Sequence, residues 1–417
     1  LSNLITKLTY VEDAVSKLCE SVKLNIGSTE VKLLDSLGLI SFNDVEAPYD
    51  YPPFDRSVVD GFAVRAEDTY GASPTSPIEL KLVGAVGIGE IPEIEISSGE
   101  AVEVATGSPI PKGANAVVMK EDVEVRDGRV VIYSRVPALA NIARRGEDLR
   151  AGEVILRRGE VITPFHISAL ATYGISKVKV FRKVKVAVIP TGSEVVDIEE
   201  DLGPGKVRDS TSYLVASYLR RFRFLEVERV CNPVPDDVKL IREVIEDALS
   251  SYDIVLTTGG TSVGKKDLVP KAVLSIEGAK LVFRGVAIRP GRPVSAAVVN
   301  GKPVIMLSGL PVAAYSALKQ VFIPFIKYLL SIRDELIPKV VGKLVRRVPN
   351  AVGYNSLVRV RAVRRGSEYL IEPIRLKGSG SLRTLLEGNA VLIINHDLEG
   401  YEAGEYVVTD LIKYVLG

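Results

Sequence analysis

Residues 253–267 read DIVLTTGGTSVGKKD. An apolar run of strand length ends in two glycines, two hydroxyl side chains, a third glycine and two lysines. From Gly259 the spacing approaches a nucleotide-binding P-loop: glycine, four residues, glycine, lysine. That motif next needs a Ser or Thr whose hydroxyl ligates magnesium. Lys266 stands there instead, followed by Asp267, which counts against a P-loop kinase or ATPase. The stretch still suits an anion. Gly259, Gly260 and Gly264 let backbone N–H groups approach it closely, and Thr261 and Ser262 add donors. Asp267 offers a carboxylate for a metal or a polar contact. The plainer reading is an ordinary strand-to-helix turn.

Upstream, the strand pattern KVKVAVI (183–189) precedes PTGSE and a helix TSYLVASYLRRF (211–222). The strand LEVERVC (225–231) and the helix DDVKLIREVIEDALSS (236–251) follow. Val238, Ile241, Val244, Ile245, Ala248 and Leu249 form one apolar stripe on the second helix. Strands alternating with amphipathic helices predict an α/β layer built on a parallel, doubly wound sheet. Ligands of such sheets sit beyond the carboxyl ends of the strands. The first end carries Thr191, Gly192, Ser193 and Glu194; the second carries Pro235, Asp236 and Asp237. Asp236 alone equally suits a helix N-cap. Together with Glu194 and Asp267 it makes a crevice of carboxylates, in which a pair at ~4 Å costs about 4 kcal/mol at an effective dielectric of 20. A magnesium ion bridging Glu194, Asp236 and Asp267 to phosphate oxygens relieves that repulsion, with Lys265, Lys266, Arg289 and Arg292 as nearby cations.

The remaining sequence frames this layer. The chain of 417 residues is too long for one core. Helical spacing runs through residues 8–40: Leu8, Val11, Ala14, Val15 and Leu18 share a face, and Val31, Leu34 and Leu37 continue it after a Gly-Ser break. Short β runs occupy 78–136, and a second helical patch lies at 163–174. In VSAAVVNGKPVIML, Asn300-Gly301 predicts a hairpin with a type I′ turn. A helix PVAAYSALKQVFIPFIKYL (311–329) follows, and residues 335–417 read as short strands of a small barrel or sandwich. The expected division is 1–45 with 139–180 as a helical and extended part, 46–138 as a β-rich insertion, 181–330 as the α/β domain, and 331–417 as the β-barrel.

Fifty-three basic and 52 acidic side chains give a net charge of +1, which argues against nucleic acid or an anionic membrane as partner. Without an 18-residue apolar run or a signal-peptide pattern, the chain is expected in the cytoplasm. Two cysteines and two histidines without ligand spacing argue against a zinc site, a disulfide framework or a Ser-His-Asp triad. A single glutamine, Gln320, with two methionines and no tryptophan, hints at a thermophilic source.

TTGGTSVGKKD, PTGSE and PDD together resemble the molybdopterin-binding fold, as in MogA- and MoaB-like proteins. PPFDRSVVDGFAVR (52–65), ATGSPIPKGANAVVMKED (105–122) and NIARRGEDLRAGEVIL (141–156) narrow the resemblance to the molybdopterin molybdenumtransferases. These are the MoeA-like enzymes, whose animal relative is the gephyrin E domain. The match covers residues 8–330 and continues through GNAVLII (388–394). It implies a four-part subunit in a homodimer. It also implies magnesium-dependent insertion of molybdate, or the similarly shaped tungstate, into adenylylated molybdopterin with release of AMP. The upstream molybdopterin adenylyltransferase is a further possible partner, and a gephyrin-like, non-enzymatic scaffold is the competing reading.

The resemblance carries functional roles onto Asp60, Glu121, Asp148 and Thr106 outside the α/β domain. Within it, the family's acids fall on Glu194, Asp236 and Asp267. Arg359 in LVRVRAV and Ser379 in KGSGS fall where relatives place molybdate-side residues. The chain also departs from the family. A segment like FxKxxxKPGKP reads FRGVAIRPGRP, so its lysines become Gly285, Arg289 and Arg292; arginine keeps the charge and adds a planar fork for an oxyanion. Ala143 replaces an arginine of some relatives, and LPGNPVSA reads LSGLPVAA, with Ser308 and Leu310.

Overall fold

The computed structural model describes residues 8–260, 268–374, 378 and 380–413. The chain folds as two compact units. One comprises the N-terminal part up to Asn43, Arg158–Ser168 and everything from Ile175 onward; the other comprises Asp44–Arg157 and Ala169–Gly174.

The first unit holds the α/β layer: β1 (Val184–Pro190), α1 (Thr211–Leu219), β2 (Leu225–Arg229), α2 (Val238–Ser251), β3 (Ile254–Thr258), α3 (Leu268–Leu274), β4 (Ala279–Arg284), β5 (Ser295–Val299), β6 (Lys302–Leu307) and α4 (Pro311–Ala317). The sheet order is β2-β1-β3-β6-β5-β4. Its first three pairings are parallel, and the β6–β5 and β5–β4 pairings are antiparallel. Alternate residues of β1 feed opposite faces, as the two-residue period of a strand requires. Val186 and Val188 join a core that includes Val215, Leu219 and Ala314. Ala187 and Ile189 join the core built by Ile241, Ile245, Val269 and Val273. Helices therefore cover both faces, and β3 is buried along its whole length, its apolar Ile254–Leu256 giving way to Thr257 and Thr258 at the carboxyl end. The predicted hairpin turn is present, with Asn300 at φ 50° and Gly301 at φ 86°.

The long helix predicted over 311–329 is continuous but changes pitch. A π-helical turn at Leu318–Phe322 separates α4 from the segment Ile323–Leu329. Pro324 has no N–H to donate, and its ring crowds the carbonyl four residues back, which lies in that turn.

The C-terminal strands Asn355–Arg365, Glu368–Pro373, Lys339–Leu344, Tyr406–Leu411 and Ala390–Ile394 close on themselves as a five-stranded barrel. The pair Ile288–Arg289 adds in parallel to Asn355–Ser356, so the α/β domain lends a short strand to the barrel sheet.

Near the N-terminus the helix is shorter than its spacing predicts. It spans Val11–Ser21, and Ser28–Lys32 is a strand antiparallel to Lys177–Phe181. Val31 thus sits in a ladder rather than on a helix, and Leu34 is 78% exposed. A partner strand almost 150 residues away supplies the backbone bonds that local spacing assigned to a helix.

The second unit is built on a six-stranded sheet. Its order is Ala116–Met119, Gly61–Val64, Glu100–Val104, Ile78–Val86, Arg129–Ile132 and Val123–Arg126. Ile142–Ala143 pairs with Arg56–Ser57, and Val154–Leu156 pairs with Val45–Glu46.

Candidate functional site

At the carboxyl edge of the α/β sheet, three loops lock together through their backbones. The Thr191 amide donates to the Thr258 carbonyl at 2.8 Å, and the Gly259 amide donates to the Leu307 carbonyl at 3.1 Å. Gly259 has φ +97°, and a Cβ there would stand 2.2 Å from the Thr191 carbonyl oxygen. Gly260 has φ +61°, and its Cβ would stand 2.4 Å from Val269 Cγ2. Only glycine meets both the conformation and the close approach. Thr211 Oγ1 donates to the Gly309 carbonyl at 2.7 Å, which ties the loop after β6 to the start of α1.

The second strand end joins through Ser193, whose Oγ accepts the Asp236 amide at 2.8 Å. The N-cap of α2 is Asp237, which accepts from the amides of Lys239 and Leu240 at 2.8 and 3.0 Å. Asp236 is therefore not the cap, and the structural alternative raised by its sequence position falls away. Thr191, Gly259 and Gly260 are thus brought together, with Asp236 held against the residue that precedes Glu194. Glu194 itself is exposed. Thr261, Ser262, Gly264, Lys265, Lys266, Asp267 and Ser379 lie outside the described residues. Among the described residues, no three His, Cys, Asp or Glu side chains gather as a metal cluster.

A second feature lies where the barrel meets the α/β domain. A cleft of about 950 Å³ is lined by Arg289, Arg292, Ser308, Leu310, Tyr354 and Arg359 among others. Arg289 and Arg292 are exposed. Arg359 is only 2% exposed, on the long barrel strand. Its Nε donates to Thr384 Oγ1 at 3.1 Å and its Nη1 to the Leu357 carbonyl at 3.4 Å. Its Nη2 has no partner among the described residues. Burial pushes the guanidinium pKa down, and no carboxylate among the described residues counters it. A buried charge without an ion partner is costly, and an anion bound against this group would offset it. Leu310, at the N-cap of α4, makes no side-chain capping bond. Sequence reasoning missed Thr384, because LRTLLE reads as any short helix.

In the second unit, Asp60 Oδ1 accepts from the Thr106 amide at 2.7 Å and from Thr106 Oγ1 at 3.0 Å. These two bonds hold the exposed Asp60 carboxyl below its ordinary pKa. The Lys120 amide donates to the Asp60 carbonyl at 3.0 Å, which places the turn bearing Glu121 beside this pair. Asp148 belongs to another turn, its amide donating to the Tyr51 carbonyl at 3.2 Å. Tyr51 also packs edge-on against Tyr173, at 6.4 Å between ring centroids.

Comparison with known proteins agrees across the whole chain. Residues 9–174 match the MoeA N-terminal region (domain I and II), 187–328 match the probable molybdopterin binding domain, and 341–409 match the MoeA C-terminal region (domain IV). A Methanocaldococcus jannaschii protein named for molybdopterin biosynthesis is 37% identical, over 99% of both chains. A molybdopterin molybdenumtransferase of Staphylococcus epidermidis is 33% identical, over 95% of this chain and 94% of its own. The crystal structure of a molybdopterin biosynthesis MoeA protein from Pyrococcus horikoshii OT3 superposes with a TM-score of 0.83 at 33% identity, covering 97% of this chain and all of that one. The chain therefore belongs to the MoeA family and is a molybdopterin molybdenumtransferase, an enzyme of molybdenum cofactor biosynthesis.

Proposed function

We propose that the chain takes molybdate, or the equally shaped tungstate, into the barrel cleft and inserts its metal into adenylylated molybdopterin with release of AMP. The observation that carries this reading is Arg359: a buried guanidinium without a counter-ion or a partner for Nη2 among the described residues, in a cleft that also bears Arg289 and Arg292. A tetrahedral dianion answers such a site, because charge-assisted bonds to arginine are strong and directional. The glycine-lined edge at Thr191, Gly259 and Gly260 suits the phosphate end of the pterin, where backbone can approach closely.

Magnesium fits the second edge in a limited way. Asp236 and Glu194 supply carboxylates without a complete protein cage, and magnesium commonly takes one or two carboxylates, with substrate phosphates and water filling its octahedron. Bound there, it would neutralise charge on the departing AMP. Asp236, held by Ser193, would orient that end of the substrate. On the family resemblance, the Asp60–Thr106 pair and Asp148 are proposed as functional residues of the second unit, with Asp60 kept ionised as an acceptor. Positioning and electrostatics are taken to dominate this chemistry. The working unit is proposed to be a homodimer in the cytoplasm.

The test is AMP release from adenylylated molybdopterin and magnesium, with molybdate, tungstate or neither. Oxyanion-dependent release is expected, and the stronger response names the metal. Tight pterin binding without release under any oxyanion would overturn the reading in favour of a scaffold.

A further inference from the structure

The structure assigns to Thr384 the role of positioning residue for the oxyanion: its hydroxyl holds the guanidinium plane of Arg359, which lines the cleft, and leaves Nη2 as the edge without a partner among the described residues. This rests on the reading that the cleft takes an oxyanion. Thr384 is 3% exposed, in the short helix Leu382–Glu387 of the barrel region. Its Oγ1 donates to the Ser381 carbonyl at 2.8 Å. A hydroxyl has a single proton, so toward Arg359 this oxygen acts only as an acceptor, and Arg359 Nε–H donates to it at 3.1 Å. The guanidinium is planar, so fixing the Nε–H direction fixes the whole group. With Nε on Thr384 and Nη1 on the Leu357 carbonyl, Nη2 is the edge left without a partner.

The same hydroxyl bonds the backbone close to another lining residue of the cleft. Ser381 ends the segment that includes Gly378, which lines the cleft, and Gly380, whose Cβ would lie 3.4 Å from Leu310 Cδ2. One side chain thus ties the arginine-bearing strand to the loop that faces α4. The acid of that short helix, Glu387, pairs with Arg383 rather than with Arg359, so Thr384 orients the arginine without neutralising it. Thr384 acts only through Arg359 and the loop.

Equilibrium binding of molybdate and of tungstate to the full chain, measured by calorimetry beside thermal unfolding, tests this. Thr384→Val and the smaller Thr384→Ala are expected to lose oxyanion affinity about tenfold, the scale of one misdirected charged hydrogen bond. Thr384→Ser, which keeps the hydroxyl, is expected to bind as the parent does, and Arg359→Met to lose at least as much as the hydroxyl-free variants. Lower stability with unchanged affinity in both hydroxyl-free variants, alongside weakened Arg359→Met, overturns the role of Thr384 alone. Unchanged affinity in Arg359→Met overturns the oxyanion reading beneath it.

Discussion

At the scale of single residues, the site works by withholding partners from some charges and supplying them to others. Arg359 is buried without a counter-ion among the described residues, whereas Asp60 is exposed yet given two donors by Thr106. Those donors lower the Asp60 pKa, the backbone amide foremost. A depressed carboxyl contributes stability above its unfolded pKa and loses it as pH falls through the lower folded value. Asp60 therefore stays ionised below the usual carboxylate range. Thr106→Val is expected to raise the Asp60 pKa toward its ordinary value, as read from the carboxyl titration by NMR; an unchanged pKa would assign the whole effect to the backbone amide. Resemblance singled out Asp60, Thr106 and Asp236 in the sequence, whereas the Asp60–Thr106 bonds and the Asp236–Ser193 bond were not legible there. The isolation of Arg359 was not legible, because a strand arginine on a barrel surface and one buried beside Thr384 are written identically.

At the scale of elements, the close approach of three loops sets the edge of the α/β sheet. Gly259→Ala would force a Cβ to 2.2 Å from the Thr191 carbonyl at φ +97°. The expected loss is about 2 kcal/mol or more in chemical denaturation, and parent-like stability would show that the loop yields easily. The neighbouring acids separate cap from site. Asp237→Ala is expected to cost about 1 kcal/mol by removing the cap of α2, whereas Asp236→Ala should leave stability unchanged and impair AMP release. The reverse pattern would return Asp236 to a structural role. Strands β1 and β3, the helices between them and the Asn300-Gly301 turn were legible because period and turn chemistry are local. The strand Ser28–Lys32 was not, since its pairing with Lys177–Phe181 is decided far along the chain.

At the scale of the molecule, the barrel is joined to the α/β domain by the short strand Ile288–Arg289 and by a buried ion pair. Lys319 Nζ lies 2.6 Å from Asp410 Oδ2, and both side chains are largely shielded from water. Lys319→Met leaves Asp410 buried and alone, for an expected loss of about 3–5 kcal/mol. An unchanged melting profile would show that the pair is dispensable. No helix among the described residues is long and apolar enough to cross a membrane. The proposed homodimer is read directly by sedimentation, which should give twice the chain mass. The account as a whole stands on where the oxyanion binds. Crystals soaked in molybdate and measured at the molybdenum absorption edge are expected to show an anomalous peak in the barrel cleft, within hydrogen-bonding reach of Arg359 Nη2 and facing Arg289 and Arg292. A peak elsewhere, with that cleft empty at saturating molybdate, would contradict it.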